Sequence, residues 1–465
     1  MWGLLHLPKM RRKNISYKRC SLPSSNLTGI WCKENGAQGV HRHYILKFKP
    51  GYLIMMRVKS ESTAKRNFNA FLWHAVFLAL TTTFTDINTI LPSLIVKAGG
   101  SDFQLGILTA IMVGTPILGE LIFASYLHLK SRKKPFLLFS INLRVLTLAV
   151  TAIILWKADS FAHGNLILII FILMFIFAIA GTFAGVSYTD ILGKSLPESW
   201  RKQFFVKRQV FASIAILISA LIARFILANT AYPVNYLFLF ILAAVLLLIA
   251  SAGFWFIKEK KNGAAARDHS FIAVIKSIPT TLRTNPNLRS FILFSNFSGF
   301  GLTLMPFFIA LAKKRYGLTG EQIGMFLLLQ IVGMIISNFV WAKVIKKQNF
   351  KGVIAGCIIL TALLPILALL FSNLPVYFFL VIFILMGFTM SARRIGYEGL
   401  FIEITNDNNR ALHKGIVGAT RLSTAFFPLI AGWLIGIVGY APVFILSSIM
   451  IFMGLIFIRQ LTLSN

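Results

Sequence analysis

The sequence predicts an all-α membrane protein with twelve transmembrane helices arranged as two pseudo-symmetric six-helix halves. Three observations predict it. The chain of 465 residues is 57% hydrophobic and 13% charged, whereas a soluble domain is about half apolar and about a quarter charged. Its apolar residues fall in blocks of about 20, the length a helix needs to cross a bilayer. Its basic residues gather in alternate short loops, the asymmetry of a polytopic protein with one face toward the cytoplasm.

That placement also disposes of the net charge of +33. A nucleic-acid binder collects its basic residues on one soluble face, whereas here they lie between apolar spans. The three cysteines, Cys20, Cys32 and Cys357, form no CxxC and have no neighbouring histidine. Neither a disulfide framework nor a metal site is expected, and no cofactor is implied.

Residues 1–67 are expected to be a cytoplasmic extension, either disordered or arising from a mis-called start. They lack an apolar core of signal-peptide length. Met55 and Met56 open a short basic leader, "MMRVKSESTAKRNF", directly ahead of the first span. An N-terminal half is expected over 68–257, a cytoplasmic linker over 258–288, a C-terminal half over 289–460, and a tail over 461–465.

Within the first half the spans are predicted at 69–97, 103–126, 135–157, 165–193, 205–229 and 233–257. Within the second they fall at 289–312, 321–345, 351–372, 374–402, 414–437 and 441–459. Gaps such as "HLKSRKKP", "LPESWRKQFFVKRQ" and "KVIKKQNFK" are basic, while "AGGSD", "FSNLP" and "GYAP" are not; "KKRYGLTGE" alone breaks the alternation. Both termini are therefore expected in the cytoplasm.

The halves read as repeats. "ILPSLIVKAGGSDFQLGILTAIMVG" matches "LMPFFIALAKKRYGLTGEQIGMFLLLQIVG", each with a proline late in one helix and a glycine early in the next. Tyr188 precedes Arg201 by the interval that separates Tyr397 from Arg410. Paired halves mark secondary transporters, whose substrate site lies between the repeats near the midplane.

With two sixes of helices, a central basic loop and short basic 2–3 and 8–9 loops, residues 68–459 resemble the major facilitator superfamily. The family's G-x-x-x-D-R-x-G-R-R loop motif would fall on "SYLHLKSRKK", with Leu129 at the aspartate position and Arg132 at the second glycine. In the second half "AKVIKKQNFK" puts Lys346 at that aspartate position. The resemblance implies that spans one, four, seven and ten line a central cavity.

Charges inside an apolar span are costly, about 2.5–3.5 kcal/mol each at a helix centre on insertion scales, and usually face the bundle interior. Asp86, in "LTTTFTDINTILPSLIV", lies near the middle of span one, beside Asn88. It is either a proton- or cation-binding group or a permanently hydrogen-bonded carboxylate that holds helices together. Glu120 and Arg144 lie at similar depth in neighbouring antiparallel spans and are expected to form a structural ion pair; Asp86 is the alternative partner for Arg144. In span ten, Arg394 and Glu398 are an i,i+4 pair on one helix face, with Tyr397 between them. They are either a substrate anchor with a tuning carboxylate or a charge cluster at the mouth of the helix. Asn296 belongs to a polar stripe on span seven, and Asp190 is a possible gate at the inner end of span four.

No enzyme signature is present. "DILGKS" lacks the first glycine of a phosphate-binding loop, and no metalloprotease or serine-nucleophile motif occurs. The expected function is secondary active transport of a small organic solute by alternating access, coupled to protons. The partners are that solute, the coupling proton and the lipid bilayer, with no nucleic acid. The alternatives are a transporter-like receptor or interaction protein without transport, and a lipid translocase. The expected location is the bacterial inner (plasma) membrane.

Overall fold

The computed structural model describes residues 17–19, 27–33, 44–48, 50–128, 130, 132–259, 271–405 and 410–462. The chain divides into two compact units, Met1–Arg66 and Asn67–Asn465.

In the first unit, β1 (Tyr17–Arg19), β2 (Leu27–Lys33) and β3 (Tyr44–Phe48) form an antiparallel sheet in the order β1-β2-β3. The sequence predicts no element there. The aromatic and β-branched residues of "LTGIWCK" and "YILKF" suit a pleated surface.

The helices begin with α1 (Pro50–Phe84), in which the unit boundary falls. Next come α2 (Ile90–Lys97), α3 (Asp102–His128), α4 (Lys134–Trp156), α5 (His163–Ser195), α6 (Glu198–Asn229) and α7 (Val234–Trp255). The expected linker contains a further helix, α8 (Phe271–Thr284). Beyond it lie α9 (Pro286–Leu304), α10 (Pro306–Tyr316), α11 (Gly320–Phe371), α12 (Val376–Glu403), α13 (Arg410–Thr420), α14 (Leu422–Val438) and α15 (Tyr440–Arg459). Among the described residues, ten helical stretches are long and apolar enough to cross a membrane. Large apolar side chains such as Phe225, Phe339, Trp433 and Ile437 remain exposed, as a lipid-facing surface requires.

Several elements differ from their predicted spans: the span at 289–312 is parted at Met305 into α9 and α10, and that at 414–437 at Arg421 into α13 and α14. Span one is broken at residues 85–89 into the end of α1 and the short α2. The predicted spans at 321–345 and 351–372 run together as α11, with a kink where Asn349 takes φ 58° and ψ −169°.

The sequence repeat has a structural counterpart. α2 and α10 each carry a proline near their start, Pro92 and Pro306, and each is followed by a left-handed glycine, Gly99 at φ +85° and Gly317 at φ +77°. Each is then followed by a reciprocal cap on the next helix. The Ser101 N–H donates to Gln104 Oε1 at 2.9 Å while Oγ of Ser101 accepts from the Gln104 N–H at 3.3 Å. The Thr319 N–H donates to Gln322 Oε1 at 2.9 Å and Oγ1 of Thr319 accepts from the Gln322 N–H at 3.2 Å. Such boxes satisfy amides that the first helical turn leaves without partners.

The helix after each cap packs on one distant in sequence: α3 on α14 and α11 on α6. A Cβ on Gly324 would come within 2.7 Å of Arg224 Cα, and one on Gly320 would overlap the Leu227 carbonyl oxygen. A Cβ on Gly106 would overlap the Pro428 carbonyl oxygen in the same way. Further ties close this end of the bundle. The Lys313 ammonium donates to the Val96 carbonyl at 2.6 Å, joining α10 to the C-terminus of α2, where a cation is favoured by the helix dipole. The Tyr440 hydroxyl donates to Asp102 at the start of α3.

Candidate functional site

At the opposite end the same helices diverge. A cavity of about 810 Å³ opens between α6, α11 and α12. A second, of about 320 Å³, is bounded by α1, α4, α5, α6 and α12. Arg208, Gln209, Ala212, Ile216 and Arg394 line both, so the two form one continuous space.

Arg394 and Glu398 of α12 both line the larger cavity, one helical turn apart, and both are exposed to it. Among the described residues neither is in an ion pair. Tyr397, on another face of the helix, is buried and bonded through its hydroxyl to Ser298 of α9. The adjacent Arg393 completes that interface. Its guanidinium donates to Ser298 Oγ at 3.0 Å and to the Ser295 carbonyl at 3.4 Å, and it stacks 4.4 Å from the centre of the Tyr397 ring. Asn296 accepts a hydrogen bond from Ser423 of α14 at 3.4 Å. The structure thus brings Arg394 and Glu398 to the cavity and places Tyr397 and Asn296 at helix contacts.

Asp86 occupies the break between α1 and α2. Its Oδ1 accepts from the backbone N–H groups of Asn88 and Thr89, both at 2.9 Å, and from Thr89 Oγ1 at 2.8 Å. Its Oδ2 accepts from Gln330 Nε2 of α11 at 3.2 Å. The side chain therefore turns the chain as an Asx turn does and lies at the positive end of α2. Asn88 is buried, with its amide 3.7 Å from Met390 Sδ of α12.

Arg144 of α4 lines the smaller cavity beside His74, Tyr188 and Thr82. Its guanidinium lies 4.1 Å from the centre of the Phe177 ring, and its buried Nε has no hydrogen-bond partner. The side chain of Glu120, and with it the expected Glu120–Arg144 pair, lies outside the described residues. A His74 ring nitrogen lies 3.2 Å from the Ala250 carbonyl, tying α1 to α7.

Asp190, near the end of α5, pairs with Lys194 one turn on and with Lys133 at 3.1 Å. Glu259 accepts from the backbone N–H of Lys133 at 2.6 Å and of Lys134 at 2.9 Å. With Leu129 in the loop where the family motif has an aspartate, the loop's basic end is held by acids from α5 and from just beyond α7.

Arg208, Gln330 and Arg393 are absent from the sequence prediction. Arg208 falls in the basic gap "LPESWRKQFFVKRQ", which overlaps the start of the span predicted at 205–229. "LPES" could have corrected this: proline followed by an acidic residue opens a helix, and α6 does begin at Glu198. The signal for Arg393 is its i,i+4 spacing to Tyr397. Gln330 is a lone amide in an apolar run.

A helical bundle of this kind, with a cleft lined by charged side chains between α6, α11 and α12, fits a membrane transporter. The chain belongs to the Major Facilitator Superfamily, whose family model matches residues 72–347 and 289–463. It is an integral, multi-pass membrane protein and a secondary transporter rather than an enzyme. No curated protein sequence matches it. Solved structures with a similar fold include the nucleoside transporter NupG, at 12% identity and a TM-score of 0.61, covering 85% of this chain and 99% of that one. A POT family transporter in complex with 5-aminolevulinic acid has 13% identity and a TM-score of 0.63, with 85% and 95% covered. A D-xylose-proton symporter has 12% identity and a TM-score of 0.59, with 85% and 97% covered.

Proposed function

We propose that this protein moves a small organic solute across the membrane by alternating access, with proton coupling, through the cavity lined by Arg394 and Glu398. The supporting observation is an asymmetry along the bundle: seams closed on glycine at one end, and a continuous polar cleft at the other. Such a form is one of the two states that rocking halves would exchange. On this reading there are twelve spans in two sixes. The kink at Asn349 divides α11 in two, and the end of α1 with α2 supplies the first span. The cleft then opens toward the cytoplasm, where both termini lie, and Asp190 with Lys133 and Lys194 gates that side.

Two carboxylates are candidates for the coupling proton. Asp86 accepts four hydrogen bonds, three of them from its own turn, so protonation there would break a structural device. Glu398 faces the cleft and is the carboxylate free to exchange a proton in each cycle. Asp86 and Asn88 keep α2 and the helices it meets in register, Tyr397 does the same for α9 and α12, and Asn296 for α9 and α14.

The test uses proteoliposomes containing a pH-sensitive dye, challenged with aliphatic and aromatic carboxylates, nucleosides and sugars. A transported solute is expected to acidify the lumen with wild type. Glu398→Gln is expected to lose that signal while retaining solute counterflow. Solute entry without any pH change in wild type would refute proton coupling, and no entry of any solute would refute transport.

A further inference from the structure

The geometry points to an organic anion with an apolar body, a carboxylate or phosphate on a hydrophobic frame, as the occupant of this cleft. The inference rests on the transport reading for its purpose but not for its chemistry. Three guanidinium groups face the joined cavities: Arg144 in the smaller, Arg208 and Arg394 in both. The carboxylate among the described lining residues is Glu398, so the lining carries an excess of positive charge.

Cations inside a bilayer-spanning bundle are costly and ordinarily meet an acid or a carbonyl. Arg144 instead has a ring face at Phe177 and a buried Nε without an acceptor. A guanidinium presents five donors in a fork that matches a carboxylate or phosphate, so an entering anion would satisfy Arg144 and offset the mutual repulsion of the three. The walls add the second requirement. Phe205 and Ile216 of α6 and Ile335 and Phe350 of α11 line the larger cavity together with the polar Gln209, Ser213 and Asn338, so hydrocarbon can be covered beside the groups that hold the anion. The volume is that of sites which enclose small organic molecules.

The probes are 2-naphthoate, 2-naphthylmethanol and 2-naphthylmethylammonium, which share one skeleton and differ in charge. Binding to the full-length protein is measured by equilibrium dialysis in nanodiscs of phosphatidylcholine. The acid is expected to bind wild type, with the alcohol weaker and the amine weakest. Arg208→Gln and Arg394→Gln are each expected to raise the dissociation constant for the acid about tenfold or more, the effect of removing one charge-assisted contact. These two side chains are reached by solvent, so the result does not depend on Arg144→Gln folding.

Nanodiscs containing phosphatidylglycerol separate the two sources of such an anion. Displacement of naphthoate assigns the site to an anionic lipid headgroup, and no displacement assigns it to a free solute. Amine binding equal to or tighter than acid binding, or acid affinity unchanged in both variants, overturns the inference while leaving transport intact. Arginine-dependent naphthoate binding with no transport of any solute would instead remove the transport reading and keep this one.

Discussion

Gly320→Leu is expected to drive the protein out of the form in which the α6–α11 seam is closed. The first residue of α11 lies against the Leu227 carbonyl at the end of α6, with no space for a β-carbon. The neighbour is backbone in a helix and cannot rotate aside. Overpacking a close contact costs about 1–3 kcal/mol, and under the proposed alternating access the cost falls on one conformation only, because the seam would separate in the other. A differential cost of that size shifts a two-state equilibrium about 5- to 150-fold. The expected results are a cleft that is less accessible to water-soluble thiol reagents and a transport rate at least about fivefold lower. Gly106→Leu, which meets the Pro428 carbonyl at the α3–α14 seam, should act in the same direction. Gly164→Leu, where nothing lies within 4 Å of the added carbon, is the control and should behave as wild type. Equal loss in all three variants would show that the effect is general destabilisation.

Asp86→Ala should be the most destabilising change in the polar part of span one. It removes the acceptor for two backbone amides and one hydroxyl in a helix break inside the membrane, and releases Gln330. Each buried donor left without a partner costs about 1–3 kcal/mol, so with four donors released a total loss of about 4 kcal/mol or more is expected in reversible unfolding in mild detergent. Asp86→Asn keeps a carbonyl oxygen where Oδ1 sits and should recover most of that loss, with transport retained. The contrast separates the two roles the sequence allowed. A group needed only for protons would fail equally as Asn and Ala. If Asp86→Asn is stable yet inactive, the proton role belongs to Asp86 after all.

Much of the architecture was legible because the bilayer imposes its own ruler. Blocks of apolar residues and alternating basic loops marked helices within a few residues of their ends, and the paired "AGGSDFQLG" and "YGLTGEQIG" stretches marked two equivalent corners. The breaks at residues 85–89 and at Asn349 were harder to see. A turn satisfied by its own Asp side chain does not interrupt hydropathy, and a single left-handed Asn does not end an apolar pattern. In the cleft, Arg394 and Glu398 were legible as one helical face. Arg208 lies in the basic stretch "LPESWRKQFFVKRQ" and so reads as loop charge, although α6 runs through it from Glu198. Tyr397 appeared to be a cavity residue because spacing along one helix cannot say which neighbour covers which face. The bond to Ser298 depends on how α9 packs on α12, which is a tertiary fact.

The most direct test of the account is a distance between the two walls of the cleft. Spin labels at Val206 on α6 and Ile402 on α12, in a background with Cys20, Cys32 and Cys357 replaced, would be measured by pulsed electron resonance in lipid nanodiscs. Alternating access predicts a long-distance population in wild type that Gly320→Leu depletes in favour of a shorter one, because forcing one end apart brings the other together. A single distribution, identical in wild type and Gly320→Leu, would contradict it.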